Sequence, residues 1–494
     1  MKRIVTYLNK LFPAVVLSLV AATSTSQPLT LKNAILIAQE NSYDAQLAKY
    51  SYLASYWAYR SFKAQLMPSV NLRGGLMNFN HSSVEARNYE DGKVAYVDNN
   101  TLDNNMTLSL DQKIAATGGT ISLQSYLYRL DQFTYNERTY NSQPMRVSYT
   151  QPLMAFNSLK WEKKTAPLEF EIAQRKYISS MQDIAVKTTQ LYFDVLAAQS
   201  ACRQSEASLA DREALYEMAK KRLQLGTTTK SEVLQLELSL INTRVAVRND
   251  QLALNNAKYE LFSYLRVSDY DKAEPQVPDE VPDLNINTAL VTERAISNSS
   301  HVKEQKLQLL NAEKSLAQAK ADRGLQISLN GQIGFSKTAS TFSSVYSKLR
   351  DNEIVGLTLS MPIFDWGVSK GKVRMAKAQL EVTKTQQRQS HEDFLEEIRR
   401  SVTRFNSQPS LCRDAMRARE IAQERYTITL KRFETGGVTV TELNTAQQEL
   451  ESSNAQYIAQ LQVFWNDFYS LKKLTLYDWV NNHDIEADFD RLLK

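Results

Sequence analysis

The stretch YEMAKKRLQLGTTTKSEVL at residues 216–234 occurs again, in altered form, as YTITLKRFETGGVTVTELN at residues 426–444. A Tyr, a Lys-Arg pair, a Gly and a Glu recur at the same places, which aligns the two copies. Each copy lies between two segments of helical periodicity, and its glycine suits the left-handed residue that ends a helix. We call the two segments tip 1 and tip 2, and predict that each joins two antiparallel helices. A duplicated hairpin predicts two structural repeats.

Long helices are predicted on both sides of each tip, over 160–225 and 231–265 in the first repeat and over 370–435 and 441–475 in the second. A helix of the longer kind would extend about 100 Å. In the first long helix, polar residues interrupt an apolar stripe with the 3,4 spacing of a coiled coil, which favours a shallow interface. The predicted stripe is Ile178, Met181, Ala185, Thr188, Tyr192, Val195, Cys202, Leu209, Tyr216 and Leu223, with Gln199, Glu206, Glu213 and Lys220 as its polar members. Pro409 predicts a kink or break in the second long helix.

Each repeat also contains a pair of alternating segments that predict strands. The strands are expected at 69–79 and 144–151, and at 326–336 and 354–361. One side of each is apolar and the other is polar and mostly uncharged. This alternation fits a soluble sheet with one face in water, or a transmembrane barrel with lipid outside and a wet lumen inside. Helices over 29–66 and 287–323 are predicted to precede the strands.

The two repeats differ in the connection between their strands. The first connection holds two further alternating segments, which predict an additional hairpin at 105–130; the sequence leaves open whether this hairpin joins the barrel. Residues 266–285 form a Pro- and Asp-containing linker between the repeats. The segment 476–494 is a short C-terminal tail for which the sequence predicts no role.

The N-terminus has the composition of a secretory signal peptide. Residues 1–26 carry Lys2, Arg3 and Lys10, then an apolar run too short to span a bilayer, then small polar residues. We therefore expect an exported protein without a transmembrane helix. Removal of the three cations lowers the formal charge from +5 to +2, which is too small to indicate nucleic acid as a partner.

Cys202 and Cys412 are the chain's two cysteines, and they occupy equivalent positions of the two repeats. One disulfide would be the ordinary expectation in an exported protein. Equivalent positions of neighbouring repeats lie farther apart than the ~7 Å between Cα atoms that a disulfide allows. The sequence therefore predicts two separate thiols that pack as small apolar residues.

The order of helix, strand pair, long helix, tip and shorter helix, which occurs twice, resembles the TolC family of outer-membrane efflux proteins. The motifs that carry the resemblance are the KRLQLG and KRFETG tips and the QPL and MPI turns from strand to helix. It covers a first repeat at 27–285 and a second at 286–475. The resemblance implies a mainly α fold with a transmembrane β-barrel portion. Three protomers would share one barrel and one periplasmic tunnel of long antiparallel coiled-coil helices. The family has four strands per protomer and twelve per trimer, so the additional hairpin puts the strand number in question.

The resemblance also implies functional roles for the tips. An acidic constriction would fall on Glu232 and Glu442, and a ring of such carboxylates would attract cations and repel anions. The alternative is that both are first-turn glutamates favoured by the helix dipole. A periplasmic adaptor would contact the ends of the tips, although turn geometry alone could also explain these residues. The candidate contact residues are Leu223, Gly226, Thr227, Gly436, Gly437 and Val438.

The function implied is passive conduction without enzymatic chemistry and without a cofactor. His81, His301, His391 and His483 are scattered, and no metal-ligand or phosphate-loop spacing occurs. We expect a homotrimer in the outer membrane of a Gram-negative bacterium, in contact with outer-membrane lipid, a periplasmic adaptor and, indirectly, an inner-membrane transporter. The alternatives are a channel for type I protein secretion or metal-ion efflux and, in another class, a non-conducting periplasmic coiled-coil scaffold.

Overall fold

The computed structural model of the chain describes residues 27–87, 92, 94–267, 273–278, 281–435 and 437–493. The predicted signal peptide, parts of the 266–285 linker and Gly436 lie outside these residues. The chain divides into two compact units. The tip unit comprises the residues up to Tyr43, Ile184–Asp283 and Gln408–Asn466, and the sheet unit comprises Asp44–Asp183, Leu284–Ser407 and Asp467 onward.

The elements of both repeats run from a pair of helices through sheet strands to a long helix and a shorter helix, with more strands in the first repeat than in the second. In chain order these are β1 (Gln27–Leu29), α1 (Leu31–Asn41), α2 (Tyr43–Gln65), β2 (Ser69–Arg87), β3 (Val94–Ile114), β4 (Gly119–Gln132), β5 (Glu137–Pro152), α3 (Ser158–Gln224), α4 (Lys230–Leu265), β6 (Ala273–Pro275), α5 (Thr288–Asn298), α6 (Ser300–Arg323), β7 (Gln326–Ala339), β8 (Arg350–Ser360), α7 (Val368–Glu434), α8 (Val440–Thr475), β9 (Tyr477–Asp478), β10 (His483–Asp484) and α9 (Phe489–Leu492). A 3₁₀ turn at Ser344–Tyr346 lies between β7 and β8.

The predicted helices over 29–66 and 287–323 are each wrong as single helices. Ser42 separates α1 from α2, and Ser299 separates α5 from α6; both serines have extended backbone, with ψ of 154° and 155°. The backbone N–H of Ser42 donates to Ala38 O, and that of Ser299 donates to Ala295 O, so each serine ends one helix as the next begins. An extended residue cannot continue the helical hydrogen-bond ladder, so the chain starts a new helix after each serine.

The long helices α3 and α7 contain prolines at which they do not end. Pro409 lies inside α7 and Pro167 inside α3. The sequence predicts a kink or a break at Pro409; the break is wrong, and the kink stays a prediction. A proline in the helix interior removes one backbone hydrogen bond at a cost of about 3 kcal/mol. Burial of the apolar neighbours Phe405 and Cys412 stabilises the helix on both sides of Pro409.

The buried stripe of α3 follows the predicted one only in part. Ala185, Thr188, Tyr192, Val195 and Cys202 are buried as predicted, and Gln199, predicted as a polar interruption, is buried with them. Towards tip 1 the buried residues are instead Ser205, Ser208, Arg212, Leu215 and Ala219, while Leu223 is exposed. The stripe shifts because Gln447 of α8 hydrogen-bonds Ser208 and Arg212 and so draws these polar residues inward.

Among the residues that the structure describes, the sheet unit contains an antiparallel sheet of six strands in the order β2-β3-β4-β5-β7-β8. The additional hairpin is longer than predicted, since it consists of β3 and β4 and not only of residues 105–130. It lies inside the sheet, between β2 and β5. The two repeats meet where β5 pairs with β7, and a bulge between Ser142 and Arg146 interrupts this ladder. Gly334 is required there, because a Cβ would approach Met145 O to 2.5 Å.

Short pairings hold the ends of the repeats. In the tip unit, β1 pairs in parallel with β6, and the buried Tyr192 hydroxyl bonds Leu29 O at 2.6 Å and Gln276 O at 2.7 Å. In the sheet unit, β9 and β10 form a small hairpin in the C-terminal segment. Cys202 and Cys412 are both buried and free, which confirms the prediction of two separate thiols. Burial raises the pKa of the Cys412 thiol to about 11.

Candidate functional site

Tip 1 is a tight connection built by a left-handed glycine. After α3, Gly226 has φ of 73°, and the Thr227 N–H donates to Arg222 O at 3.0 Å, five residues back. This bond is the one that a Schellman-type helix end makes. A Cβ on Gly226 would meet no atom within 4 Å, so the backbone angle, and not lack of space, requires glycine here.

Tip 2 closes with the same backbone bond. The Gly437 N–H donates to Arg432 O at 2.8 Å, and these residues correspond to Thr227 and Arg222 of tip 1. The Thr435 hydroxyl also donates to Arg432 O at 2.9 Å. The predicted contact residue Gly436 lies outside the described residues. The structure therefore gives both α3 and α7 the same helix end, as the duplicated sequence predicts.

Glu232 and Glu442 occupy equivalent positions in two capping boxes. The Glu232 N–H donates to the Thr229 hydroxyl at 3.3 Å, and the Thr229 N–H donates to the Glu232 carboxylate at 3.4 Å. In tip 2 the corresponding distances between Glu442 and Thr439 are 3.2 and 3.0 Å. Both carboxylates are exposed and satisfy backbone donors at the start of α4 and α8.

The Glu232 carboxylate is stabilised in its charged form. The Thr228 hydroxyl and then the Thr229 backbone N–H donate to it, and these bonds lower its pKa from the ordinary value. Glu232 is therefore ionised at neutral pH. An exposed, ionised carboxylate at a helix N-terminus can serve both as a cap and as a source of negative potential.

The candidate adaptor-contact residues differ in exposure. Leu223, Gly226, Thr227 and Gly437 are exposed, whereas Val438 is half-buried against the tip core. Sequence reasoning missed Leu225, which follows α3 and is 76% exposed. The signal was available, because Leu225 is a large apolar residue within the turn, outside the periodic apolar stripe of α3.

Both tips rest on one apolar core, which we call the tip core. Its buried members come from all four helices around the tips. They are Leu215, Ala219, Val233, Leu236, Phe433 and Leu443, with Tyr216, Tyr426, Leu430, Val438 and Val440 partly buried around them. The tips are thus two ends of one packed body.

A polar network that the sequence did not reveal joins the helices below the tip core. The Tyr426 hydroxyl of α7 donates to the Asp211 carboxylate of α3. Arg212 donates to Gln447 of α8 at 2.5 Å, and Gln447 donates to Ser208 and, at 2.9 Å, to Glu451. Burial, followed by the neighbouring Asp211, raises the pKa of Tyr426 far above its ordinary value, and burial lowers the pKa of Arg212.

A groove of about 600 Å³ runs along the same helices. α3, α4 and α8 line it mainly with small and polar side chains. These include Ser200, Gln204, Ser208, Gln235, Asn242, Thr243, Gln448, Glu451 and Asn454. Apolar residues such as Leu238, Ala246 and Ile458 also line the groove, so its surface is mixed in polarity.

One face of the six-stranded sheet is apolar and exposed. A row of directly paired residues crosses five strands: Val70, Leu110, Leu123, Val147 and Ile333. Their side chains are between 36 and 69% exposed. The face continues onto β8, where Leu357 pairs with Leu329, and Ser125 and Glu353 interrupt it. The alternation that predicts a strand with one apolar side is confirmed.

The opposite face of the sheet is polar. Its corresponding row is Asn71, Ser109, Gln124, Arg146, Gly334 and Asn352. The side chains bond one another, as where Asn71 and Ser109 both donate to Asp111 at 3.0 and 2.8 Å. Aromatic pairs lie beyond the two ends of the strands: Phe342 with Tyr346 between β7 and β8, and the exposed Phe364 with Trp366 after β8. No helix among the described residues is long and apolar enough to cross a bilayer.

The family model described as outer membrane efflux protein matches residues 34–265 and 291–475, which together make up most of the chain. The chain belongs to this family. It is therefore a non-enzymatic outer-membrane efflux channel of a Gram-negative bacterium. No curated relative matches at a significant level.

Solved structures of efflux channels share the fold of this outer membrane efflux protein. The Campylobacter jejuni CmeC outer membrane channel is 14% identical with a TM-score of 0.65, and the match covers 98% of this chain and 97% of that one. The outer-membrane channel OprN is 15% identical with a TM-score of 0.66, covering 91% and 90%. Vibrio cholerae VceC is 16% identical with a TM-score of 0.62, covering 90% and 95%. The mainly helical class with long antiparallel helix pairs and an antiparallel sheet is confirmed.

Proposed function

We propose that three copies of this outer membrane efflux protein form one exit duct, with the sheets in the outer membrane and the tips at the periplasmic mouth, where an adaptor binds. The observation that carries the proposal is the six-stranded sheet with one exposed apolar face. Lipid suits the apolar face, and a water-filled lumen suits the polar face with its hydrogen-bonded Asn71 and Asp111. Aromatic residues beyond both strand ends suit the two membrane interfaces.

The open edges of the sheet support a trimer. In the described chain, β2 and β8 each pair with a strand on one side only. Unpaired backbone N–H and C=O groups cost several kcal/mol each in hydrocarbon, so a membrane sheet must close on itself or on further copies. The family resemblance supports three copies, which pair head to tail around a threefold axis.

The charges at the tips support a role in controlling which ions enter the periplasmic opening of the duct. Glu232 and Glu442 are exposed, and in a trimer they would contribute six carboxylates around the axis. We propose that these carboxylates make the mouth selective for cations in addition to capping α4 and α8. The exposed end of each tip offers a surface to the helical hairpins of an adaptor, and Leu225 adds an apolar contact to the residues predicted from sequence.

Selectivity measurements separate the two roles of the glutamates. Glutamine at the third helical position also completes a capping box, so the E232Q/E442Q variant keeps the cap and loses the charge. In planar bilayers, we expect this variant to lose most of the cation preference of the wild-type trimer while it keeps most of its thermal stability. The E232A/E442A variant should lose both. If the reversal potential of E232Q/E442Q equalled that of the wild type, the carboxylates would cap the helices but would not select ions.

Adaptor binding is tested at the exposed tip ends. We expect Thr227→Arg with Gly437→Arg to abolish drug resistance in cells and adaptor crosslinking while single-channel conductance persists. Asn249→Arg, at an exposed position of α4, is the matched control and should retain resistance. Full resistance in the tip variant would place the adaptor elsewhere. Recovery of the protein from periplasm without detergent, and no conductance, would favour the non-conducting scaffold.

A further inference from the structure

This inference rests on the proposed trimeric duct and concerns the ring of strands in the membrane. We propose that the ring has eighteen strands, six from each chain, and that β8 of one copy pairs with β2 of the next. The family resemblance alone implies twelve. The occupant of each open sheet edge is thus a second copy of this chain, and the bore is wider than that of a twelve-stranded ring.

The hairpin of β3 and β4 is an integral part of the sheet. Fourteen consecutive residue pairs join β3 to β4, from Thr101 with Gln132 to Ile114 with Gly119. On its outer sides, β3 pairs with β2 from Ser69 onward, and β4 pairs with β5 from Thr120 onward. Strands β2 and β5, which correspond to β7 and β8 of the second repeat, are therefore separated by the two complete strands β3 and β4.

The turn of this hairpin is bonded to its neighbours on both sides. The Gln112 side chain donates to Leu66 O, before β2, at 2.9 Å. Gln151 of β5 donates to Thr117 O at 3.0 Å, and Asn157 donates to Ala115 O at 3.1 Å. These contacts fix the turn at the end of the sheet where the helices begin. A hairpin that stood above the membrane could not make them.

The hairpin carries the same two faces as the rest of the sheet. Leu110 and Leu123 continue the apolar face between Val70 and Val147, and Ser109 and Gln124 continue the polar face. An inserted hairpin adds lipid-facing and lumen-facing surface in the pattern that a membrane strand requires. Both strands thus meet the chemical requirements of a ring position.

Closure requires an even number of strands from each copy. Because every neighbouring pair in the sheet is antiparallel, β2 and β8 run in opposite directions. When β8 pairs with β2 of the next copy, the ring is then antiparallel throughout. One additional strand would break this alternation, whereas a hairpin preserves it.

The sheet already has the stagger of a closed barrel. Directly paired residues lead from Ser69 through Asp111, Ser122, Ser148 and Gln332 to Ile354. Strand β8 continues six residues farther, to Ser360. Six residues measure about 20 Å along a strand, and five strand spacings about 24 Å. For the helix-side ends of β2 and β8 to lie at the same height along the barrel axis, the strands must tilt by about 40° from that axis. This tilt is within the range of known barrels.

Barrel diameter grows roughly in proportion to strand number, so eighteen strands give a bore about half again as wide as twelve. At this size a barrel keeps an aqueous channel that side chains do not fill.

Disulfide trapping in the full-length protein, on a C202A/C412A background, tests the ring order. Val70 and Leu359 lie on the apolar face near the same rim, so we expect V70C/L359C to form covalent dimers and trimers upon oxidation. Val70 and Val147 are three strands apart, about 14 Å, which exceeds the reach of a disulfide. V70C/V147C should therefore remain reduced. V70C/T358C is the control, because Thr358 faces the opposite side of the sheet.

A second measurement compares bore sizes. Deletion of Val94–Gln132 joins β2 to β5 and leaves four strands per chain. We expect neutral polyethylene glycols to enter the wild-type channel up to a radius about 1.5 times the cut-off of the deletion variant.

Two results would overturn the inference: a V70C/V147C disulfide in conducting trimers, or equal polymer cut-offs in two conducting channels. Should the deletion variant fail to fold, the disulfide pattern decides alone. A monomer that neither crosslinks nor conducts would instead contradict the trimeric duct itself.

Discussion

The tips and the strand segments of the two repeats have diverged to different degrees. At the tips, the helix-ending bond of Thr227 to Arg222 recurs as that of Gly437 to Arg432, and both capping boxes use a Thr and a Glu. In the strand segments, the first repeat holds four strands and the second holds two. Duplication has thus preserved one end of the unit and changed the other.

The difference follows from the contacts that hold each region together. The tips share one core with contributions from α3, α4, α7 and α8, so a change in one tip alters the packing of the other. A sheet that closes with further copies accepts any added hairpin that keeps the antiparallel order and the two faces. Packing constrains the tips residue by residue, whereas the sheet is constrained by strand parity and side-chain alternation.

The largest expected effect breaks the two-faced pattern of the sheet. Leu357→Arg places a charge on the apolar face, where lipid contact makes arginine cost about 2–4 kcal/mol. We expect loss of assembled trimer on semi-native gels and loss of outer-membrane insertion.

Thr358→Arg is the matched control for this substitution. Thr358 is the adjacent, equally exposed residue on the polar face, and its variant should assemble normally. Equal behaviour of the two variants would show that the apolar face does not lie in lipid.

The next effect concerns the polar network below the tip core, where the repeats are not equivalent. Tyr426→Phe removes the hydrogen bond to the charged Asp211, which we expect to lower the free energy of unfolding by about 1.5–3 kcal/mol. If the network keeps the tips together, the open probability in bilayers should also rise. Tyr216→Phe changes the equivalent residue of the first repeat and should alter neither the free energy of unfolding nor the open probability.

The pH dependence of this network follows from the raised pKa of Tyr426. A raised folded-state pKa contributes stability that is complete below the unfolded value of 10.0 and is lost as the pH rises through the folded value. Wild-type tips should therefore show no titration of this group between pH 6 and pH 9 in thermal unfolding. A transition in that interval that Tyr426→Phe removes would contradict the assignment.

The sequence revealed features that depend on local pattern. Alternation identified the two faces of β2 and β7, and the duplicated tips identified the helix ends, because both signals lie within a few residues of one another. The breaks at Ser42 and Ser299 were missed, although the Asn-Ser pair occurs at both. The surrounding apolar periodicity continues across each pair and concealed the break.

Features that depend on contacts between distant segments could not be predicted. Arg212 and Ser208 are buried only because Gln447, far along the chain, bonds them. The place of the β3–β4 hairpin within the sheet likewise depends on pairing with both β2 and β5. Alternation shows that a segment forms a strand, but not which strand lies beside it.

A smaller effect tests the helix end of tip 1. Gly226→Ala forces a Cβ into the left-handed region, so we expect the free energy of unfolding to fall by about 1–2 kcal/mol. Gly437→Ala is the control, because its backbone is outside that region and its new Cβ would meet Arg432 O at an ordinary 3.4 Å. Thermal unfolding of both variants measures the difference, and equal losses would mean that Gly226 is not held in this conformation.

The smallest effect tests whether the capping boxes are as equivalent as their geometry. Thr229→Ala and Thr439→Ala each remove one hydroxyl acceptor, and each should cost about 1 kcal/mol. In tip 1 the lowered pKa of Glu232 means that its contribution is present above the unfolded value of 4.5 and is lost as the pH falls through the folded value. Thr228→Ala removes the hydroxyl that donates to the Glu232 carboxylate, so this variant should lose part of the wild-type decrease in stability between pH 5 and pH 3, as followed by thermal unfolding. If acid destabilised Thr228→Ala and the wild type equally, the bond from the Thr228 hydroxyl would contribute nothing to the charged form of Glu232.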